Sequence, residues 1–434
     1  MTATCATAAV LLAGLLSGAA TPLRAAEPDW PRFRGPNGSG IAADATPPST
    51  WSDTQNLKWR TELPGPGTSS PILVGDRMFL TCWTGPGVGK GKGSLSRELL
   101  CVDRATGKVK WTRSVAGESP ADEYEGYLPE HGFASHTPAS DGEKVFVYFG
   151  RGGAAAFDLD GRQLWHVKLG NGANAKNWGS AASPVLHKDT VIITASEEAH
   201  AVIALDKLTG KEVWRAPGSA LEYVFGTPVL AGSPAAPELV FALPEELWAL
   251  NPDTGKLRWF ATSNLPGNIA PSVVAGDGVV FAFGGFPQLG AVAVKTGGKG
   301  DVTGSHRLWQ TRDSTYVPTP VLHEGRLYVV TDQGFALCLD AQSGELVFKE
   351  RLPGASATGR GGKPFYASPV LAGGNLYALS RRNGTFVIAA QPQFKLVAHN
   401  SLASDSTQFN ATPAVSGRDL FLRSDKFLYC LATQ

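Results

Sequence analysis

Two histidines five residues apart, His131 and His136, follow an acidic run of Asp122, Glu123, Glu125 and Glu130. Imidazole and carboxylate groups ligate divalent metals, and a histidine beside a carboxylate is also the centre of much acid–base catalysis. The spacing here matches no standard metal-ligand signature, so no metal site is assigned and a hydrogen-bonded structural histidine is the plainer reading. The stretches "DGEK" (141–144), "FDLDG" (157–161) and "RNGT" (382–385) read as turns, not metal loops. No Ser/His/Asp set, phosphate loop or paired-carboxylate motif stands out, and no catalytic residue is assigned. Aromatic residues recur at related positions: Trp178, Tyr223, Phe225, Tyr316, Phe365, Tyr366 and Phe409, with Arg360 and Lys363 close by in sequence. They either pack at the tops of strands or ring a shallow pocket. On the second reading the binding set is His131, His136, Trp178, Tyr223, Tyr316, Arg360 and Tyr366.

The elements that must position these residues form a repeat. A Ser/Thr/Ala-Pro pair followed by apolar residues occurs at Pro71, Pro138, Pro184, Pro228, Pro271, Pro320, Pro369 and Pro413. After the first, the intervals run from 43 to 49 residues, the length of one four-stranded propeller blade. Two residues before the Pro most copies carry something small; blade 5 has Ile269, blade 6 Pro318, and blade 2 alone has a histidine, His136. Each unit ends in an apolar run, an Asp or Asn, a turn and an aromatic residue, as in "CVDRATGKVKW" (101–111) and "ALDKLTGKEVW" (204–214). The Asp or Asn starts the turn through its own backbone and the Gly supplies positive φ. Trp59, Trp111, Trp165, Trp214, Trp259, Trp309 and Phe348 close seven of the units and are assigned to packing one blade against the next. The eighth copy, "LYCLATQ" at the end of the sequence, has no turn and no Trp. "NLKWRTELPG" (56–65) has an outer-strand ending with nothing of a blade before it. The expectation is an all-β, eight-bladed propeller of four-stranded antiparallel blades over 56–434, its ring closed by the N-terminal strand that completes blade 8. Residues 27–55 form an N-terminal extension.

These units, with the phrase Ala/Cys-x-Asp-x-x-Thr-Gly-Lys-x-x-Trp, resemble the pyrroloquinoline-quinone (PQQ) repeat propellers over about 56–434. "DWPRFRGPNGSG" (29–40) resembles the extension of exported members of that group. The resemblance implies either a quinoprotein alcohol or sugar dehydrogenase or a non-enzymatic propeller like the outer-membrane β-barrel assembly lipoprotein. Fold alone does not decide between them. Such dehydrogenases set the quinone against an adjacent Cys-Cys disulfide, whereas none of the five cysteines here is adjacent to another. There is no Cys-x-x-Cys-His for an attached haem. Cys101, Cys338 and Cys430 share one repeat position with Ala156, Ala204 and Ala249 and read as free thiols, while a Cys82–Cys101 bridge stays open. The preferred reading is therefore a non-enzymatic binding or scaffold propeller with no cofactor. A PQQ- and Ca²⁺-dependent oxidoreductase is the alternative.

The net charge of +1 gives no reason to expect nucleic acid as a partner. Val10–Leu16 is a short apolar core followed by small residues, so 1–26 reads as an export signal, although no Lys or Arg precedes Arg24. Cys5 lies before that core and does not fit a lipid-bearing position, so no direct membrane anchor is expected. The protein is expected in the periplasm or outside the cell, as a monomer, with a protein or small-molecule partner. Two insertions, 83–98 and 116–135, rise from one sector of the face opposite the Thr-Gly-Lys turns. Residues 84–97 and 117–130 are expected to form a mobile lid there.

Overall fold

The computed structural model describes residues 1–2, 30–85, 94–115, 124–173, 177–356 and 362–433. Apolar runs of five or six residues, separated by Gly- and Asp-containing turns, leave the middle strands of each sheet buried on both faces, and the chain winds the strands into eight antiparallel sheets. The sheets form an eight-bladed β-propeller. Blade 1 runs outward through Ile72–Val74, Arg77–Thr84, Ser96–Asp103 and Val109–Val115. Blade 8 contains Ala414–Ser416, Asp419–Arg423 and Phe427–Ala432, and its outermost strand is Leu57–Glu62 from the other end of the sequence. Trp59 pairs with Cys430 and Thr61 with Leu428 in that closing ladder.

The core lies between blades. Each buried apolar cluster joins neighbouring sheets, and the largest joins blades 7, 8 and 1 together with Trp30 and Trp51 of the N-terminal segment. In the outer hairpins a bulge follows a paired small residue and aromatic: Cys101 faces Trp111, Ala204 faces Trp214 and Cys338 faces Phe348. The small residue leaves room for the ring, and the bulge turns it toward the next blade. There the indole N–H donates to a carbonyl of the next turn: Trp59 to Arg104 (3.1 Å), Trp111 to Leu159 (3.2 Å), Trp165 to Lys207 (2.9 Å), Trp214 to Pro252 (3.0 Å) and Trp309 to Ala341 (3.0 Å). The turn Gly lies against the ring. A Cβ on Gly210, at φ +71°, would come within 2.8 Å of Trp165.

Two aromatics depart from this pattern. Trp259 donates to Glu238 Oε2 (3.0 Å) in its own sheet, because the long connection of blade 5 lays Gly300–Asp301 alongside it as a fifth strand. Phe348 has no N–H to donate and meets Phe394 of blade 7, whose phrase lacks the Gly. The register of blade 5 also corrects the repeat assigned from sequence. Ser272, not Ala270, occupies the Ser/Thr position, with Val273 in place of Pro; Thr227 N–H donates to Ser272 Oγ (2.9 Å) and Ser272 N–H to Thr319 Oγ1 (2.9 Å).

Cys82 and Cys101 are not bonded to each other. They belong to different clusters, Cys82 lying opposite Glu98 and Cys101 opposite Phe79, so their side chains face opposite sides of blade 1. Cys82, Cys101, Cys338 and Cys430 are buried free thiols. Among the described residues no helix is long and apolar enough to cross a membrane.

Candidate functional site

The Ser/Thr position lies two residues before each innermost strand, and these positions are tied together around the axis. The backbone N–H of each residue donates to the hydroxyl of the next: Ser70 to Thr137, Thr137 to Ser183, Ser183 to Thr227, Thr227 to Ser272, Ser272 to Thr319, Thr319 to Ser368 and Ser368 to Thr412, all at 2.9–3.0 Å. The Pro that usually follows has no N–H, so the strand's free donor is the one aimed sideways, and the neighbour's hydroxyl satisfies it. The chain of bonds stops between blades 8 and 1. Ser70 Oγ is buried without a partner, and Arg423 spans the seam instead, donating to Ser69 O (2.8 Å) and Ser69 Oγ (2.6 Å).

The N-terminal segment closes the lower end of this ring. Trp30 pairs with Leu73 of blade 1, and Ser140 N–H of blade 2 donates to Pro31 O. Arg34, 1% exposed, reaches blades 6 and 7 and donates to Thr319 O (3.0 Å), Pro320 O (2.6 Å) and Pro369 O (3.2 Å). Its remaining donors go to Gly38 O and Ser39 O. Ile41–Ala42 then adds a parallel strand to the inner edge of blade 7. Phe33 lies at the axis, so the centre of the propeller is a cup with a floor, not an open channel.

The cup is a cavity of about 200 Å³ whose wall includes Trp178, Phe225, Tyr316, Tyr366, His131 and Asn268, with the ring hydroxyls from Thr137 to Thr412 below. The charged groups at its rim are paired. Glu130 Oε2 lies 2.9 Å from Arg381, whose guanidinium also lies over the Tyr366 ring (4.1 Å) and donates to Asn410 Oδ1 (2.9 Å). Lys363 meets buried Asp332 at 2.5 Å and lies over Tyr316 at 5.9 Å. Such stacks hold the aromatic rings upright at the rim. His131 Nε2–H donates to Trp178 O, which leaves Nδ1 to accept from Ser135 Oγ. Burial lowers its pKa, so the ring is neutral and both nitrogens are engaged.

His136 is 4% exposed and lies behind the wall. Ser180 Oγ donates to Glu198 Oε1 (2.6 Å) and Tyr148 O–H to Glu198 Oε2 (2.9 Å). The His136 Nε2–H therefore donates to Ser180 Oγ (3.0 Å). That polarity is the reverse of a nucleophilic serine, whose proton must pass to the imidazole. Desolvation, reinforced by His131 and Arg97, pushes the His136 pKa down to about 3.

Of the residues singled out by sequence, the structure brings His131, Trp178, Tyr316 and Tyr366 to the cup. Tyr223 is 41% exposed and is not part of the cup wall; only its backbone contributes, accepting from Ile269 N–H. Arg360 lies outside the described residues. Phe365 and Phe409 are buried and pack against Phe386 and Tyr429. Of the two expected lid segments, 86–93 and 116–123 lie outside the described residues. The described parts are not a loose lid: Thr84 and Ser96–Arg97 belong to strands of blade 1, and 124–130 is packed down, Tyr124 contacting Trp83 and Phe133, Leu128 buried, and Tyr127 stacked on Trp178 at 4.0 Å. Sequence reasoning missed Arg34, Asn268, Asn410 and the hydroxyl ring. The Ser/Thr before Pro was its only available signal.

Among the described residues no group of three or more His, Cys, Asp or Glu could hold a metal ion. Among the described residues of the cup wall the one carboxylate, Glu130, is paired with Arg381. A quinone tricarboxylate with a divalent cation would need free cationic donors for its acid groups and free carboxylates for the metal. The residues present do not fit that pair, and no step is derived through it.

Fold and ring together define the class: a PQQ-repeat propeller. A family model described as outer membrane protein assembly factor BamB matches residues 97–350 and 300–393, and the chain belongs to that family. It is 26% identical over 233 residues to outer membrane protein assembly factor BamB of Yersinia pestis, covering 50% of this chain and 56% of that protein. It is 23% identical over 396 residues to a polyvinylalcohol dehydrogenase of a Pseudomonas species, covering 79% of this chain and 54% of that enzyme. The chain thus spans about half the length of the curated relatives it matches. A europium-containing methanol dehydrogenase superposes with a TM-score of 0.64 over 93% of this chain and 98% of the other, at 12% identity, which is a likeness of fold.

Proposed function

We propose that this protein is an exported, non-enzymatic propeller that binds a partner through the cup-bearing face. The observation that carries this reading is the cup itself. It opens on one face only, its wall is aromatic, and its carboxylate and its imidazole are both engaged with other protein groups. Aromatic rings held in place around a concavity give contact area at little entropic cost, which suits recognition. Catalysis needs an acid, base or nucleophile with a free site, and His131 and Glu130 offer none. The family supports a protein as partner and the periplasm as location, with residues 1–26 as the export signal.

The test is capture of a protein partner from periplasmic extract by the tagged full chain. Trp178→Ala with Tyr316→Ala should abolish capture; both rings are half-buried, so a stability loss of about 2–4 kcal/mol is expected, and capture is measured at a temperature where the variant is folded. Lys211→Glu with Lys256→Glu, on the opposite face, should leave capture intact. The reverse pattern would refute the assignment of the face. The dehydrogenase reading, favoured by the long match to a polyvinylalcohol dehydrogenase, predicts dye-linked alcohol oxidation after addition of PQQ and Ca²⁺; the binding reading predicts none.

A further inference from the structure

The ring hydroxyls are used only as acceptors. Each of the seven from Thr137 to Thr412 takes one backbone N–H, and among the described residues none donates its own proton to a protein atom. All seven line the cup. An O–H whose oxygen already accepts an N–H is polarised and becomes a better donor. The lower part of the cup is thus a circle of donors with no matching acceptors.

A second, independent observation lies below it. Arg34 is a buried cation held by five carbonyl oxygens, and among the described residues no carboxylate pairs with it. Its pKa is pushed down by desolvation alone, to about 9. Two of those carbonyls belong to Thr319 and Pro320, so the guanidinium touches the strand that carries one of the ring hydroxyls. A buried charge without a counter-ion is unfavourable unless something supplies the opposite sign. The rim ion pairs are each neutral, whereas Arg34, beneath the strand that carries Thr319, brings an unpaired positive charge toward the floor.

Resting on the reading of the cup as a binding site, we infer that its floor receives a single carboxylate, borne on an apolar or aromatic body that packs against Trp178, Phe225 and Tyr316. The carboxylate accepts from the ring hydroxyls and lies above the Arg34 charge. A cavity of about 200 Å³ is smaller than the roughly 300–1,000 Å³ of a drug-sized ligand site, so it takes a small acid or the end of a longer chain. The carboxylate could come from a free organic acid or from the C-terminus of an extended peptide; the chemistry at the floor is the same.

The experiment is calorimetric titration of the full chain with 4-phenylbutyrate and with neutral 4-phenylbutyramide, and with Gly-Gly-Phe as free acid and as C-terminal amide. At least one acid should bind about tenfold or more tighter than its amide, because a charged acceptor strengthens each hydroxyl hydrogen bond. Preference within the first pair identifies a small acid, and within the second a peptide end. Ser272→Ala and Ser368→Ala should each lower acid affinity about tenfold and leave amide affinity unchanged. Arg34→Lys should keep the preference and Arg34→Met should erase it; if Arg34→Met does not fold, the two serine variants decide. Equal binding of acid and amide, binding of neither, or an acid preference that survives both serine variants would overturn the inference. None of these outcomes affects partner capture, which Trp178→Ala with Tyr316→Ala tests separately.

Discussion

Replacing Trp59 with alanine tests the strand that closes the ring: Leu57–Glu62 is joined to the rest of blade 8 by hydrogen bonds alone, while residues 63–71 connect it to blade 1. Trp59 belongs to blade 8, yet its indole N–H donates to Arg104 O of blade 1 (3.1 Å), and Gly107 of that blade lies against its ring. Removing a fully buried Trp costs about 3–5 kcal/mol. Trp59 is half-buried, so the packing loss is about 2 kcal/mol, and the lost hydrogen bond adds about 1 kcal/mol. Unfolding entropy is about 2.1 cal/mol/K per residue, or about 0.9 kcal/mol/K for a 434-residue chain. A loss of about 3 kcal/mol therefore lowers Tm by about 3 °C. The assay is calorimetry with urea unfolding, and Trp214→Ala is the internal control. Trp214 makes the same bond to Pro252 O (3.0 Å) from an outer strand whose own blade is continuous in the chain. The two variants should lose similar stability, but Trp59→Ala should also unfold faster and less cooperatively, because the strand that carries Trp59 is held to the rest of blade 8 by hydrogen bonds alone and can then leave the sheet. If Trp59→Ala stays within about 0.5 kcal/mol of wild type while Trp214→Ala does not, the seam is not held by Trp59.

Stability should fall on mild acidification. His136 is held at about 3 against about 6.5 unfolded, so the unfolded chain binds the extra proton between those values, and stability present above pH 6.5 is lost by about 1.4 kcal/mol per unit below it. Urea midpoints at pH 6.5 and 5 should therefore differ by about 2 kcal/mol, and His136→Gln should flatten the difference. Arg34→Met strips the donors from five carbonyls and should cost about 3–5 kcal/mol in urea unfolding; a neutral result would mean that the floor is not needed for folding. The buried thiols of Cys82, Cys101, Cys338 and Cys430, pushed up to about 12 or, for Cys338, about 11, should ignore a disulfide reagent in the native state and react on unfolding. Rapid native labelling of any of them would contradict the packing of the outer hairpins.

The eight blades and their closure were legible in the sequence because a blade is a local object. Its four strands, its Asp-to-Trp turn and its small residue opposite the Trp lie within about 45 residues, and the pattern repeats often enough to average out degenerate copies such as blade 7. Even the pairing of Trp59 with blade 8 could be inferred, since an outer strand without a blade and a blade without an outer strand have only one solution. The cup was legible only as a rim of aromatics, and Tyr223 shows the limit: a residue near the right repeat position can still point away, because its short loop turns with the Tyr223–Ile269 contact. The register of blade 5 was misread for a related reason. Pro271 mimics the repeat, and only the lateral bond from Thr227 to Ser272 fixes which residue joins the ring. The floor needed the tertiary structure outright. Arg34 meets Thr319 across 285 residues, and nothing in the local sequence of either marks the other. Periodicity encodes what each blade does with its own residues; what faces the axis is decided by how eight blades and a returning segment converge there.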